Sequence, residues 1–202
     1  MRIIFKRIEI HNFKSFDDEV FDFNEYEGLN LVCGKNNDIP GQKNGAGKSS
    51  LFTALLFSLF GQTQDNIKNS NFANKFVSSK EVRVVTYFAI EDKDYKVASG
   101  FDKRGGPYCQ LYELADSEEI DITRSTMTET RKYIAKELLH CDLSIFMRTV
   151  FLSSDQNYNF FRLKKWEKKE FIEKLFNIQV FGQMYWQIHK DVLEKDKEII
   201  AQ

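Results

Sequence analysis

The sequence predicts an α/β fold, and two features carry that prediction. A short apolar run, a glycine-rich loop and a buried helix follow one another between Leu29 and Gly61. Beyond them, alternating segments from Glu81 to Leu114 read as an antiparallel β subdomain before the chain turns helical, which is the layout of a mixed fold. The 202 residues suffice for one sizeable core. A chain with 42% hydrophobic and 29% charged residues is ordinary for a soluble globular protein. The 19 phenylalanines point to an aromatic-rich core. Net charge is −1, so nucleic-acid contact would need a local basic patch.

The elements follow in order. "IIFKRIEIHNF" alternates, with Ile8 and Ile10 on one side and Arg7 and Glu9 on the other, and predicts a half-buried strand. "EVFDFNEYEG" predicts a second strand ending at a turn near Gly28. "LNLVC", Leu29 to Cys33, does not alternate and reads as a strand covered on both faces. "SSLFTALLFSLFG" is helical in length and apolar almost all round, hence buried, with Gly61 placed to end it. Gln62 to Lys80 is rich in Asn and Gln and reads as loop. "EVRVVTYFAIE", "DYKVASGF" and "YCQLYEL" are strands, with "KRGGP" as a turn. "TMTETRKYIAKELLH" is a helix capped by Thr126 or Thr128. "IFMRTVFLS" is a buried segment, and "KKWEKKEFIEKLFNI" an amphipathic helix with Phe171, Ile172, Leu175 and Phe176 on one face. From Phe181 onward, Phe181, Tyr185, Ile188, Val192 and Ile199 are spaced four, three, four and seven, which fits a coiled-coil seam or an ordinary amphipathic helix.

Cys33, Cys109 and Cys141 are sparse and unpatterned, as in reduced intracellular proteins. Arg2, Lys6 and Arg7 lead into alternation and not into a signal-peptide core. The apolar run Leu51 to Phe60 is too short to span a bilayer. The expectation is a cytoplasmic protein with no membrane partner. Its lysine, asparagine and phenylalanine content fits an A/T-rich genome, such as that of a bacteriophage.

The loop "GKNNDIPGQKNGAGKSS", Gly34 to Ser50, holds the chemistry. Its end matches the phosphate-loop pattern G-x-x-x-x-G-K-[ST], but the first glycine should stand at position 42, which is Gln42. Strand, loop, then helix is the context such a loop requires. Gly45 and Gly47 let backbone N–H groups turn toward phosphate oxygens. Lys48 can reach the β- and γ-phosphates, and the Ser49 hydroxyl can ligate Mg²⁺. A glycine-rich turn capped by serines is the bland alternative; the complete string favours nucleotide. Gly34 and Asn44 then bound a loop lengthened by polar residues within Asn36 to Lys43, whose Pro40 and Gly41 suit an outward excursion.

"IHNFKSF", "GLNLVCGKN…NGAGKSSLFTALLFSLFGQT" and "FMRTVFLSSDQNYNFFRLKKWEKKEFIEKLFNI" together resemble the SbcC-type DNA-repair ATPases, in the structural-maintenance-of-chromosomes group of ABC-type ATPases. The resemblance covers nearly the whole chain. It implies the N-terminal lobe of an ABC-type head over residues 1–180, with the phosphate loop at 34–50 and a Q-loop region at 152–161. A coiled coil would start at 181–202. It implies ATP and Mg²⁺ as cofactors at Lys14, Gly34, Asn44, Gly45, Ala46, Gly47, Lys48, Ser49 and Ser50, with Lys75 near the base. Aligned on Phe146 to Phe161, the expected Q-loop glutamine position holds Ser154. Gln156 is the glutamine present, and Ser154 or Asp155 are alternatives for the same Mg²⁺- and water-contacting role.

The family's LSGG-like signature, Walker B Asp-Glu and switch histidine are not in this sequence. "VVTYFAIED" has Glu91 and Asp92 in reversed order, and His11, His140 and His189 have no motif context. ATP hydrolysis needs a water-positioning group besides the cradle and Mg²⁺, so the chain alone is expected to bind nucleotide weakly and turn it over hardly at all. The resemblance supplies the rest as partners. These are the C-terminal half of the same ATPase, a second head, an SbcD-type metallophosphoesterase nuclease and double-stranded DNA ends. Without a nuclease partner, a clamp or recombination-mediator ATPase is the alternative, as is a scaffold whose lengthened loop no longer binds ATP. A small-molecule kinase would need lid arginines that do not stand out here. Arg162, Lys164, Lys165, Lys168 and Lys169 around Trp166 read as a solvated helix face or as a phosphate contact.

Overall fold

In the computed structural model, residues 2–26, 28–34, 47–63, 72–115, 118–151, 160–176 and 178–200 are described. The chain divides into two compact units, Met1–His140 and Cys141–Gln202.

The first unit is built on a six-stranded sheet: β1 (Ile3–Phe13), β2 (Phe16–Asp22), β3 (Val82–Ile90), β4 (Lys93–Phe101), β5 (Pro107–Ala115) and β6 (Glu118–Asp121). Its order is β2-β1-β3-β4-β5-β6, and every neighbouring pair is antiparallel. The expected alternation holds in β1, where Ile8 and Ile10 are buried. Helix α1 (Lys48–Phe60) lies against that inner face. Leu51, Ala54 and Phe57 of α1 meet Ile8, Ile10, Val84 and Phe101 in one cluster. The phenylalanine surplus concentrates there: Phe57 lies 5.3, 4.9 and 5.9 Å from Phe13, Phe72 and Phe101, ring centre to ring centre. Such ring pairs add roughly 0.5–1.5 kcal/mol each beyond area burial.

The core also carries paired polar groups. Ser58 Oγ and Thr86 Oγ1 share a 2.6 Å hydrogen bond, and Ser99 Oγ donates to the Ser58 carbonyl at 2.8 Å. These bonds fix the depth at which α1 sits on β3 and β4, because a shifted helix would leave buried hydroxyls unmet.

Gly61 ends α1 as expected, at φ 66°, with its N–H donated to the Phe57 carbonyl at 2.8 Å. A Cβ there would fall 2.0 Å from the Arg131 guanidinium carbon. Gly61→Ala therefore combines left-handed strain of about 1–2 kcal/mol with displacement of a packed cation. Urea titration should show a lowered midpoint with an unchanged slope.

Helix α2 (Met127–Tyr133) starts at Thr126, whose hydroxyl accepts from the Glu129 N–H while the Glu129 carboxylate accepts from the Thr126 N–H. It widens into a π turn over Ile134–Leu138, both of whose end residues are buried. Strand β6 was not expected. Its four residues are all exposed and lack the apolar alternation that marks a strand in sequence.

Leu29 to Cys33 departs from expectation. It joins no sheet among the described residues, and Leu29, Leu31 and Val32 are exposed. A strand buried on both faces needs flanking strands and a helix on each side. The six-stranded antiparallel sheet supplies none of these to it.

In the second unit, α3 (Leu143–Thr149) is capped by Asp142, which accepts from the Ile145 N–H at 2.9 Å, and buries Ile145, Phe146 and Met147. Helix α4 (Lys165–Leu175) follows; the Glu167 carboxylate accepts from the Lys164 N–H at 2.7 Å. The Phe171 ring stands 5.4 Å from Phe160, with the Arg148 guanidinium 5.8 Å away. Helix α5 (Gln179–Ile200) leaves Phe181, Tyr185, Ile188 and Val192 exposed along the expected seam. No helix among the described residues is long and apolar enough to cross a membrane.

Candidate functional site

The end of the phosphate loop stands at the start of α1. Gly47 is left-handed, at φ 81°, and supplies no side-chain cap to the helix. Lys48, Ser49 and Ser50 form the first turn, where backbone N–H groups and the positive end of the helix dipole attract an anion. Gly47 is required twice. Its φ is disfavoured for other residues, and a Cβ would meet Ser15 Oγ at 3.1 Å and the Phe16 ring at 3.2 Å.

The turn between β1 and β2 leans on this helix start. Ser15 Oγ donates to Ser50 Oγ at 2.8 Å. Lys14, next to Ser15, has φ 51° and donates its backbone N–H to the Phe72 carbonyl at 2.7 Å. Phe13 pairs with Ala73, and Lys75 follows in an exposed turn. The fold thus joins the segment bearing Lys75 to the one bearing Lys14, and the latter to Gly47 and Ser50. Gly34 is described but belongs to no element. Asn44, Gly45 and Ala46 lie outside the described residues, as do Gln156, Ser154 and Asp155.

Ser15 and Asn12 belong to this neighbourhood although motif matching did not select them. Asn12 had a signal: it continues the inward row of Ile8 and Ile10, where a polar residue calls for partners. Ser15 had none, because its contact depends on how the turn folds over α1.

Of the basic run, Lys169 faces Glu173 on its own helix at 3.7 Å; Lys174, beyond the run, faces Glu170 at 2.7 Å. His11 pairs with Asp18 at 2.6 Å on the exposed face of the sheet. No group of three or more His, Cys, Asp or Glu residues placed to hold a metal occurs among the described residues. A phosphate-loop Mg²⁺ needs no such cluster, since a hydroxyl, phosphates and water surround it.

A phosphate-loop start of this kind, on an α/β fold, defines a class of nucleotide-handling domain. The chain belongs to the AAA domain family, which it matches over residues 7–201. Its similarity is to the Rad50 and SbcC kind of DNA-repair protein. It is 28% identical over 98% of its length to the DNA double-strand break repair Rad50 ATPase of Methanocaldococcus jannaschii, covering 18% of that protein. It is likewise 28% identical over 96% of its length to the SbcC component of the SbcCD nuclease of Staphylococcus saprophyticus, covering 19%. The chain therefore spans less than a fifth of either relative. Among solved structures, the ATP-bound recombination mediator RecF overlaps 62% of this chain and 30% of its own, at 20% identity and a TM-score of 0.46.

Proposed function

We propose that this chain is the nucleotide-binding lobe of an ATPase that works on DNA ends. The observation that carries the reading is the left-handed Gly47 opening α1 directly into Lys48 and Ser49, with the Ser15 turn braced against it. This donor set fits a nucleoside triphosphate with Mg²⁺: cationic Lys48 for the β- and γ-phosphates, first-turn N–H groups for the anion, and Ser49 Oγ for the metal. When bound, Mg²⁺ supplies charge neutralisation at the phosphate oxygens. The chain's own residues bind and orient the phosphates, and Gln156 takes the water-contacting role.

The exposed Leu29, Leu31 and Val32 support a second part of the proposal. In this reading they pair as a strand only when the C-terminal half of the ATPase completes the head and covers them, and α5 begins the coiled coil joining the halves. Two complete heads close on ATP, DNA ends bind across them, and hydrolysis passes the end to an SbcD-type nuclease. The relatives' roles, break repair for one and a nuclease for the other, support this part.

Cysteine labelling tests the completion. Cys33 ends the uncovered run and is exposed. Burial raises the Cys109 thiol above its ordinary value, and burial with the neighbouring Asp142 carboxylate pushes Cys141 up to about 11. The thiolate is the reactive form, so iodoacetamide at pH 8 should modify Cys33 first in this chain. Adding the C-terminal half should protect Cys33, and undiminished labelling would argue against the assembly. Co-purification with a metallophosphoesterase separates the nuclease reading from a clamp without one.

A further inference from the structure

Asn12 is fully buried (0% exposed) at the end of β1. Its φ of 51° lies in the left-handed region, which asparagine tolerates better than most residues. A buried side-chain amide persists where its hydrogen bonds are met, and here they are met by three backbone groups, one at Asn74 and two at the entry of β3. Nδ2 donates to the Ser79 carbonyl at 2.8 Å and to the Glu81 carbonyl at 2.5 Å. Oδ1 accepts from the Asn74 N–H at 3.1 Å.

Each tie leads toward the nucleotide site. Two residues after Asn12, Lys14 bonds Phe72, and the next residue, Ser15, braces Ser50. On the other strand, the Asn74 side chain accepts from the Phe76 N–H at 3.0 Å and so closes the turn that contains Lys75. The bonds to Ser79 and Glu81 anchor both segments to the entry of β3. Both donors of the amide are occupied by backbone carbonyls, so Asn12 acts on the site through what it holds.

We propose that Asn12 is a positioning residue for the nucleotide site, keeping the Lys14–Ser15 turn and the Lys75 turn in register with the start of α1. The proposal rests on the phosphate-loop reading above. It explains why asparagine stands there: aspartate lacks the two donors, and leucine would leave the Ser79 and Glu81 carbonyls without them.

Asn12→Gly in the full-length protein tests it, because glycine keeps the left-handed backbone and removes only the clamp. Binding of a fluorescent Mg²⁺-ATP analogue is measured well below each variant's Tm. Kd should rise about tenfold, which corresponds to about 1.4 kcal/mol of lost binding free energy. Lys14→Ala placed in the Asn12→Gly background should add less than about twofold, because coupled residues are not additive. A merely structural role would not produce that non-additivity. An unchanged Kd, or two effects that multiply in full, overturns the proposal. If binding is lost in Lys48→Ala but intact in Asn12→Gly, the phosphate loop stands and this inference falls. If the unsubstituted protein binds no nucleotide, both fall. Should Asn12→Gly fail to fold, amide exchange in the unsubstituted protein decides. Exchange at Asn74 and Phe76 should slow when Mg²⁺-ATP is added, and unchanged exchange overturns the proposal.

Discussion

Lys48→Ala should abolish measurable nucleotide binding while leaving the fold intact. Lys48 opens α1 directly after the left-handed Gly47, at the end of the helix where N–H groups and dipole favour an anion. Removing one partner of a hydrogen-bonded charge pair costs about 2–5 kcal/mol, or roughly 30- to 4,000-fold in Kd. The core does not depend on this side chain. The buried residues of α1 begin at Leu51, and the helix start keeps its Ser50 N–H bond to the Gly47 carbonyl at 2.9 Å. Lys48 is half-buried, so the stability change should stay within about 1 kcal/mol. Isothermal titration with Mg²⁺-ATP on the full-length protein, beside thermal melts, checks both halves of the expectation. Retained affinity would sink the phosphate-loop reading; a lost fold would make Lys48 structural.

Gly100→Ala should be the most damaging alanine substitution among the described glycines. Gly100 sits in β4 opposite Arg83 of β3 and Tyr108 of β5. A Cβ built on it would fall 1.8 Å from the Val82 carbonyl oxygen and 2.9 Å from the Tyr108 hydroxyl. The first of these is backbone and cannot swing aside. Accommodation requires β3 and β4 to separate near Val82 and Phe101, both of which are buried. Loss of about 3–5 kcal/mol is expected, combining overpacking with a disrupted ladder. At about 2–4 °C per kcal/mol for a domain of this size, Tm should fall by roughly 6–20 °C. Gly105→Ala is the control. It carries left-handed strain at φ 85° but meets nothing within 4 Å, so its cost should be only about 1–2 kcal/mol.

Local patterns made much of this legible beforehand. Alternation exposed β1 because one face of an antiparallel sheet is dry and the other wet. Gly61 and Thr126 marked helix ends because the chemistry that satisfies a terminus is carried by one or two residues. The GKSS start of α1 was readable for the same reason: phosphate binding at a helix N-terminus draws on consecutive residues. The Q-loop glutamine was less legible, since its role depends on where a loop carries it, and Gln156 lies outside the described residues.

The sequence by itself determined most of the elements whose signals are local: the alternating strands β1 and β3 to β5, the capped helices and the GKSS start of α1. The tertiary structure alone decided which distant groups meet. It placed Ser15 on Ser50 and gave Asn12 its three backbone partners across 62 to 69 residues of chain. It also left Leu29 to Val32 uncovered, although their composition reads as buried. Composition records how much a segment gains by leaving water, whereas the surface that receives it is set by how the rest of the chain folds.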